Sequence, residues 1–318
     1  MPGRNSSPRR IASLLPGATE ILFALGLGDR VVAVSHECDW PPQARALPRL
    51  TRTRIDSSLP SASIDDEVRR LLAAGESLYE VDRALLETLA PDLLITQAQC
   101  DVCAVKLADV EAAVSGCEIV GGTQIVALQP LSLAEILADI GRVAAAAGVE
   151  PAGVRVAAEL QARLDRVAET VAVVPRADRP RVAALEWLAP LMLGGNWMPE
   201  LISRAGGISL VEKWGEASRY VEWEEIVAAD PEVILVMPCG FDLQRAAREA
   251  ESLRERKGWP ELRAVKSGRV YLVDGNAWFN RAGPRSIESL EILAHLLHPD
   301  RMPVPRLTSD VLAFARWK

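Results

Sequence analysis

The sequence lacks the features that mark a membrane-spanning or nucleic-acid-binding protein. Charged residues, proline or glycine break every apolar stretch well before the roughly 18 uninterrupted apolar residues that a membrane span needs. Lys and Arg number 36 against 43 Asp and Glu, so the net charge is −7. A basic face for phosphate backbones is therefore not expected. With 49% hydrophobic and 25% charged residues, the composition indicates an ordinary globular protein.

Motifs of nucleotide-binding and hydrolytic enzymes are missing as well. The sequence contains no Gly-x-x-x-x-Gly-Lys phosphate loop, no Gly-x-Gly-x-x-Gly after a strand and no Gly-x-Ser-x-Gly elbow. Glu186 is a candidate catalytic carboxylate, but no partner carboxylate or base has a spacing that singles it out. The sequence therefore favours a protein that is not an enzyme.

The apolar stretch near the N-terminus superficially resembles a secretion signal. It runs from Ile11 to Leu27, but Pro16-Gly17 and Thr19-Glu20 interrupt it, and no small-residue cleavage site follows. We interpret it as a strand, a turn and a helix, with Thr19 as the helix N-cap. The five cysteines have no regular disulfide spacing and fit a reducing compartment. The predicted location is cytoplasmic, with a periplasmic or membrane-anchored protein as the alternative.

Short apolar runs alternate with helical patterns in two blocks of the chain, which predicts an α/β fold. A long helical stretch at 131–147, ending at Gly148, has no strand of its own and is read as a connecting helix. The predicted domains are 1–130 (N-terminal α/β lobe), 131–148 (connecting helix) and 149–318 (C-terminal α/β lobe). Each lobe is expected to have three layers around a mostly parallel sheet. The strands are predicted at 11–15, 31–34, 93–95, 118–120, 182–185, 208–211, 233–237 and 270–273, with 45–60 as an irregular connection.

Two polar clusters follow strands of the first block. Residues 35–41 come directly after the run 31–34, and residues 96–103 come after 92–95. Ligands of open α/β sheets bind outside the carboxyl ends of the strands. The candidate ligand-binding residues here are His36, Asp39, Trp40, Gln97 and Gln99.

Strands of the second block also end in unusual residues. Tryptophan offers a large rigid contact area and one hydrogen-bond donor, which suits a flat amphipathic ligand. Core packing is the ordinary alternative for any single tryptophan, and an ion pair is the ordinary use of an arginine such as Arg281. The candidates are Glu186, Trp187, Asn196, Trp197, Cys239, Asn276, Trp278 and Arg281.

Three cysteines in the first block suggest metal or redox chemistry. Cys38, Cys100 and Cys103, together with His36, form a sufficient ligand set for tetrahedral zinc. Paired thiols can also exchange disulfides, and buried free cysteine with no such role is common. All three interpretations remain open at this point.

Several segments resemble one family over almost the whole chain, from Arg10 to about His298. These are Ile11–Leu22 with Leu25–Gly28, Ala90–Ile95, Gly206-Gly207, and Val270-Tyr271 with Pro284-Arg285. They resemble the helical-hinge, or class III, substrate-binding proteins of ABC transporters, which take cobalamin or iron siderophores. The chain is most similar to the vitamin B12-binding members, in a subgroup that lacks a recognisable signal peptide.

The resemblance implies two lobes joined by one rigid helix, with a ligand held in the cleft between them. It implies cobalamin or a related corrinoid or metal chelate as the ligand, with Pro16, Gly17, Ala18 and Thr19 among the contacts. It also implies an ABC permease as a partner, for which Glu200 is the candidate docking residue of the second lobe. The alternative function is a cytosolic zinc-binding or redox protein that uses Cys38, Cys100 and Cys103.

Overall fold

The computed structural model describes residues 7–98, 102, 104–117, 122–307 and 314–317. They divide into two compact units. The first unit comprises described residues of Met1–Ser58, Asp66–Pro130 and Ala134–Leu160, and the second those of Leu59–Asp65, Leu131–Leu133 and Gln161–Lys318. This division follows the compactness of the chain and does not define domains that fold alone. The predicted domain limits at residues 130 and 148 therefore stay a prediction.

The sheet of the first unit is parallel throughout. Its strands β1 (Ile11–Ser13), β2 (Val31–Val34), β5 (Leu93–Gln97) and β6 (Gln124–Leu128) lie in the order β2-β1-β5-β6. Strand order reverses between β1 and β5, which is the position where open parallel sheets bind ligands. A separate antiparallel pair joins β3 (Thr51–Thr53) to β4 (Tyr79–Val81).

The predicted strand–turn–helix at the N-terminus is confirmed, but its helix starts earlier than predicted. Helix α1 (Pro16–Ala24) has Leu15 as its N-cap and a proline in its first turn, where the missing N–H costs nothing. Thr19 therefore lies inside the helix, and its prediction as the N-cap is wrong. Further helices before residue 148 are α2 (Ser61–Ala73), α3 (Arg83–Leu89), α4 (Leu107–Ser115) and α5 (Leu133–Ala147).

Two other predictions for this part of the chain need comment. The segment 45–60 is not wholly irregular, because it contains β3. The predicted strand at 118–120 lies outside the described residues, and β6 follows it at 124–128 without having been predicted.

The second unit contains a mixed sheet with a parallel centre. Strand β7 (Arg181–Leu188) pairs in parallel with β9 (Ile208–Ser209) and β11 (Val233–Val236), and β11 pairs in parallel with β12 (Val270–Val273). The outer strands are antiparallel, namely β8 (Leu191–Leu193), β10 (Arg219–Tyr220) and β13 (Phe314–Arg316). The predicted α/β class with mostly parallel sheets is confirmed.

Helices cover the sheet of the second unit. Helix α6 (Glu150–Ala172), which contributes residues to both units, precedes β7 and is the longest in the described chain. The others are α7 (Met198–Arg204), α8 (Trp223–Ala229), α9 (Leu243–Arg254), α10 (Arg263–Lys266) and α11 (Ser286–Leu297). No helix within the described residues combines the length and the apolar character needed to cross a bilayer.

Each unit has its own hydrophobic core. In the first, Leu14, Leu94 and Val110 belong to one buried cluster. In the second, Leu185, Ile234 and Trp259 belong to another. The central strands are held rigidly by these cores, so the residues that follow them have defined positions.

Candidate functional site

Residues at the strand ends of the first unit form a network of hydroxyl and thiol groups. The Thr19 hydroxyl oxygen lies 2.8 Å from that of Ser13 and 3.1 Å from the sulfur of Cys38. Ser35 Oγ lies 3.3 Å from the same sulfur. All four side chains are buried, so the network joins β1, α1 and the segment after β2. A role in ligand contact for Thr19 stays a prediction.

His36 presents an imidazole beside this network. Its Nδ1 lies 2.8 Å from Thr51 Oγ1, which also accepts the His36 backbone N–H at 3.1 Å. Burial, and then the positive charge of Arg49, lower the pKa of His36 below its usual value. The ring is therefore neutral at pH 7. In the tautomer whose Nδ1–H donates to Thr51, Nε2 carries a lone pair that can accept a hydrogen bond or bind a metal.

The loop after β2 is held by one arginine. Arg49 Nη1 donates to the carbonyl oxygens of Ser35 at 3.0 Å and Cys38 at 2.6 Å. Asp39 and Trp40 follow and are half-buried. The remaining candidates of this unit are Pro16, which is half-buried, and Gly17, Ala18 and Gln97, which are buried.

The described residues give no support to the zinc prediction. Gln99, Cys100 and Cys103 lie outside them. Elsewhere in the described chain, no group of three His, Cys, Asp or Glu residues could hold a metal ion. Cys38 is fully buried among hydroxyl groups, and the Nδ1 atom of His36 is engaged by Thr51 instead.

In the second unit, the ends of β7, β11 and β12 bring five residues together: Glu186, Trp187, Cys239, Phe241 and Asn276. We call these five residues the second strand-end cluster. The Cys239 N–H donates to Glu186 O at 3.1 Å, and the Asn276 N–H donates to Phe241 O at 3.1 Å. Four of the five side chains are half-buried, whereas Phe241 is buried.

An aromatic ring and a guanidinium group pack against Phe241 of this cluster. The rings of Trp187 and Phe241 meet edge to face with centroids 5.2 Å apart. The guanidinium carbon of Arg245 lies 3.5 Å from the Phe241 centroid. Trp187 Nε1 donates to Ala189 O at 3.1 Å, which fixes the ring orientation. The half-buried indole of Trp187 therefore offers a flat, rigid surface.

The carboxylate of Glu186 has a fixed partner. Ser218 Oγ donates to Glu186 Oε1 at 2.8 Å and also accepts the Gly195 N–H at 3.0 Å. Asn196 is half-buried and has the left-handed φ of 51°, which asparagine tolerates better than most residues.

The other two candidate tryptophans lie in the interior. Trp197 is 8% exposed and donates from Nε1 to Phe279 O, and Trp278 is 1% exposed and donates to Glu288 Oε2. Arg281 is also buried and donates to Asn276 Oδ1 at 3.0 Å. These positions serve the packing of the second unit, and their contact with a ligand stays a prediction.

Glu200 does not present a carboxylate for docking. It is 2% exposed, and its Oε1 pairs with Arg204 Nε at 2.7 Å. Its Oε2 accepts the N–H of Leu133, the first residue of α5, at 2.8 Å. Both oxygens are thus used within the second unit, and the interpretation of Glu200 as a docking residue is wrong.

Sequence reasoning missed several partners of the candidate residues. Phe241 follows β11 by only a few residues and could have been found by the rule that placed Cys239. Thr51, Tyr79 and Ser218 come from distant segments, and no local pattern connects them with His36 or Glu186. The His36 and Tyr79 rings lie 5.5 Å apart.

Comparison with known proteins gives a consistent result. Residues 11–277 match the model of a family described as periplasmic binding protein. The chain is similar to the uncharacterised ABC transporter substrate-binding lipoprotein YvrC of Bacillus subtilis, with 24% identity over 92% of this chain and 81% of YvrC. It is also similar to the vitamin B12-binding protein of Vibrio cholerae, with 25% identity over 89% of this chain and 86% of that protein.

Solved structures show the same fold. A periplasmic haem-binding protein from Pseudomonas aeruginosa has a TM-score of 0.71 and 18% identity, covering 94% of this chain and 95% of that one. These relatives are binding proteins, which confirms the prediction that the chain is not an enzyme.

The predicted cytoplasmic location is wrong. The relatives named above are a substrate-binding lipoprotein, a vitamin B12-binding protein and a periplasmic haem-binding protein, matched over about nine-tenths of this chain. The prediction depended on the number and spacing of the cysteines and on the reading of the N-terminal apolar stretch, and neither feature decides the compartment.

Proposed function

This chain belongs to the periplasmic binding protein family, and from that premise we propose that it binds cobalamin or a related metal chelate as cargo for an ABC transporter. The second strand-end cluster is the observation that carries the proposal. Related proteins with the names vitamin B12-binding and haem-binding support the same ligand class.

The chemistry of the cluster suits a large, flat ligand with a polar edge. The indole of Trp187, fixed against Phe241, supplies a surface on which a macrocycle can pack. Glu186, held by Ser218, and Asn276, held by Arg281, add polar side chains to the cluster. Binding sites for organic ligands commonly combine an aromatic wall with a few fixed polar groups in this way.

In the first unit, His36 is the proposed contact. Its neutral ring can accept a hydrogen bond from an amide group at the ligand edge. We favour this contact over coordination of the cobalt, because Asp39 and Trp40 beside it are also suited to an edge contact. No observation among the described residues supports the zinc or redox alternative.

Titration of the purified protein with cyanocobalamin, hydroxocobalamin, adenosylcobalamin and hemin tests the proposal. Isothermal calorimetry measures affinity, and absorbance spectra report changes at the metal. Saturable one-to-one binding of a cobalamin is expected. Binding of hemin alone would show that the ligand is a haem and not a corrinoid. The absence of binding to all four compounds would overturn the proposal.

Replacing His36 by Ala separates contact from coordination. We expect weaker cobalamin binding, by about 1 kcal/mol for one lost hydrogen bond, and an unchanged spectrum of bound hydroxocobalamin. His295→Gln is the control, because His295 bonds Met302 O in the second unit away from the cluster. A spectral difference between wild-type and His36→Ala complexes would show that Nε2 binds the metal.

A further inference from the structure

A groove of about 920 Å³ lies in the second unit and includes no residue of the second strand-end cluster. Its walls come from the segment 176–181, from β8, β9 and β10, and from α8. The volume is in the range of ligand pockets in proteins.

Three arginines near the start of β7 line the groove: Arg176, Arg179 and Arg181. The backbone is extended at Arg179 and enters β7 at Arg181, so these two side chains point to the same face. Arg181 lies opposite Ile208 in the register of β7 and β9. Within the described chain, Arg179 donates to the carbonyl oxygen of Val174, and none of the three forms an ion pair.

The acidic residues of the groove do not balance these charges. Glu225 is already paired with Arg219 at 3.1 Å. Glu212 is the other carboxylate among the lining residues, and it is exposed. Three arginines therefore face one uncompensated carboxylate.

The rest of the lining is largely apolar. Ile208, Leu210 and Val211 are half-buried residues that contribute to it. Trp214 also lines the groove and is 51% exposed, which is a high value for so large an apolar side chain. An apolar surface next to guanidinium groups that form no ion pair in the described chain is complementary to a molecule with one anionic end.

We propose that this groove is a second binding site, for a small amphiphilic anion that carries a carboxylate or phosphate on an aliphatic chain. Guanidinium groups bind both anions in bidentate geometry. The aliphatic chain packs against the apolar lining and removes it from water. The site is separate from that of the cobalamin proposal and does not depend on it.

Calorimetric titration with decanoate and with decyl phosphate, both below their micelle concentrations, tests the site. Decanol and decyltrimethylammonium are the neutral and cationic controls. We expect saturable binding of at least one anion, weakened as sodium chloride rises from 50 to 500 mM, and at least tenfold weaker binding of both controls. The preferred anion identifies the head group.

Variants locate the binding in the groove. Arg179→Ala/Arg181→Ala should weaken anion binding at least tenfold, and Arg166→Ala, which removes an exposed arginine from α6, should leave it unchanged. If the double variant fails to fold, Trp214→Ala provides the second test with the same expected direction. Equal affinity for the cation or decanol, unchanged binding in the variants, or no binding of either anion would overturn the proposal.

Discussion

At the scale of single residues, Trp187 offers a direct test of the cobalamin proposal. Its indole is half-buried and fixed by Phe241 and by the carbonyl of Ala189. Trp187→Ala should weaken cobalamin binding by about 1 to 3 kcal/mol, as expected for an aromatic anchor, and Trp187→Phe should weaken it less. Calorimetry measures both. Trp214→Ala is the matched control, and an equal loss there would show that Trp187 has no specific role.

Asp139 on α5 is the residue whose charge should make stability depend on pH. Its side chain is buried, with Oδ1 paired to Arg142 at 2.8 Å and Oδ2 without a hydrogen-bond partner in the described structure. Burial raises its pKa to about 6, Arg142 opposes the rise, and Glu135 adds to it. The native state thus keeps a proton that the unfolded chain has lost between about pH 4 and 6.

Because a raised native pKa favours the protonated form, the stability of the wild type should fall as pH rises through that window. Asp139→Asn removes the buried charge and should raise the free energy of unfolding at pH 7 by up to about 3 kcal/mol. At pH 4 the two proteins should have similar stability. Urea unfolding at both pH values measures this, with Asp66→Asn on the exposed face of α2 as the control. A larger gain at pH 4 than at pH 7 would contradict the explanation.

At the scale of elements, one glycine determines how the segment after β8 meets the segment before β10. A Cβ atom on Gly195 would lie 2.4 Å from Glu216 O and 2.5 Å from Ser218 N. Since these are backbone atoms, they cannot move aside as a flexible side chain would. Gly195→Ala should therefore destabilise the second unit by about 1 to 3 kcal/mol and displace Ser218 from Glu186.

The control substitution is expected to change the free energy of unfolding in the opposite direction. Gly141 lies within α5 and has open space around the position of a Cβ atom. Gly141→Ala should stabilise the protein by about 0.5 to 1 kcal/mol, because alanine favours the helix. Thermal unfolding of both variants measures the difference. A tolerated Gly195→Ala would mean that the loop can move away at little cost.

The sequence predicts the central elements well because each has a local pattern. Runs such as 31–34 and 233–237 are long enough to show as buried strands, and α11 shows helical periodicity. Strands β8 and β10 have only three and two residues, which is too few for a period to appear, and neither was predicted. The candidate residues follow from the strand-end rule, whereas their partners Thr51 and Ser218 are brought to them by tertiary packing, which no local pattern encodes.

At the scale of the whole molecule, the two units have separate cores and different spectroscopic probes. Of the eight tryptophans, only Trp40 belongs to the first unit. The other seven belong to the second, at positions 187, 197, 214, 223, 259, 278 and 317. Tryptophan fluorescence therefore reports mainly on the second unit, whereas far-ultraviolet circular dichroism reports on the helices of both.

Separate cores predict that urea unfolding is not a single two-state transition, so the fluorescence and dichroism curves should not coincide. The two variants argued above act on different units and sharpen the test. Asp139→Asn should shift the dichroism curve at pH 7 and leave the fluorescence midpoint unchanged, because Asp139 lies in the first unit. Gly195→Ala should lower the fluorescence midpoint. Coincident curves that both variants shift together would show instead that the units unfold as one cooperative structure.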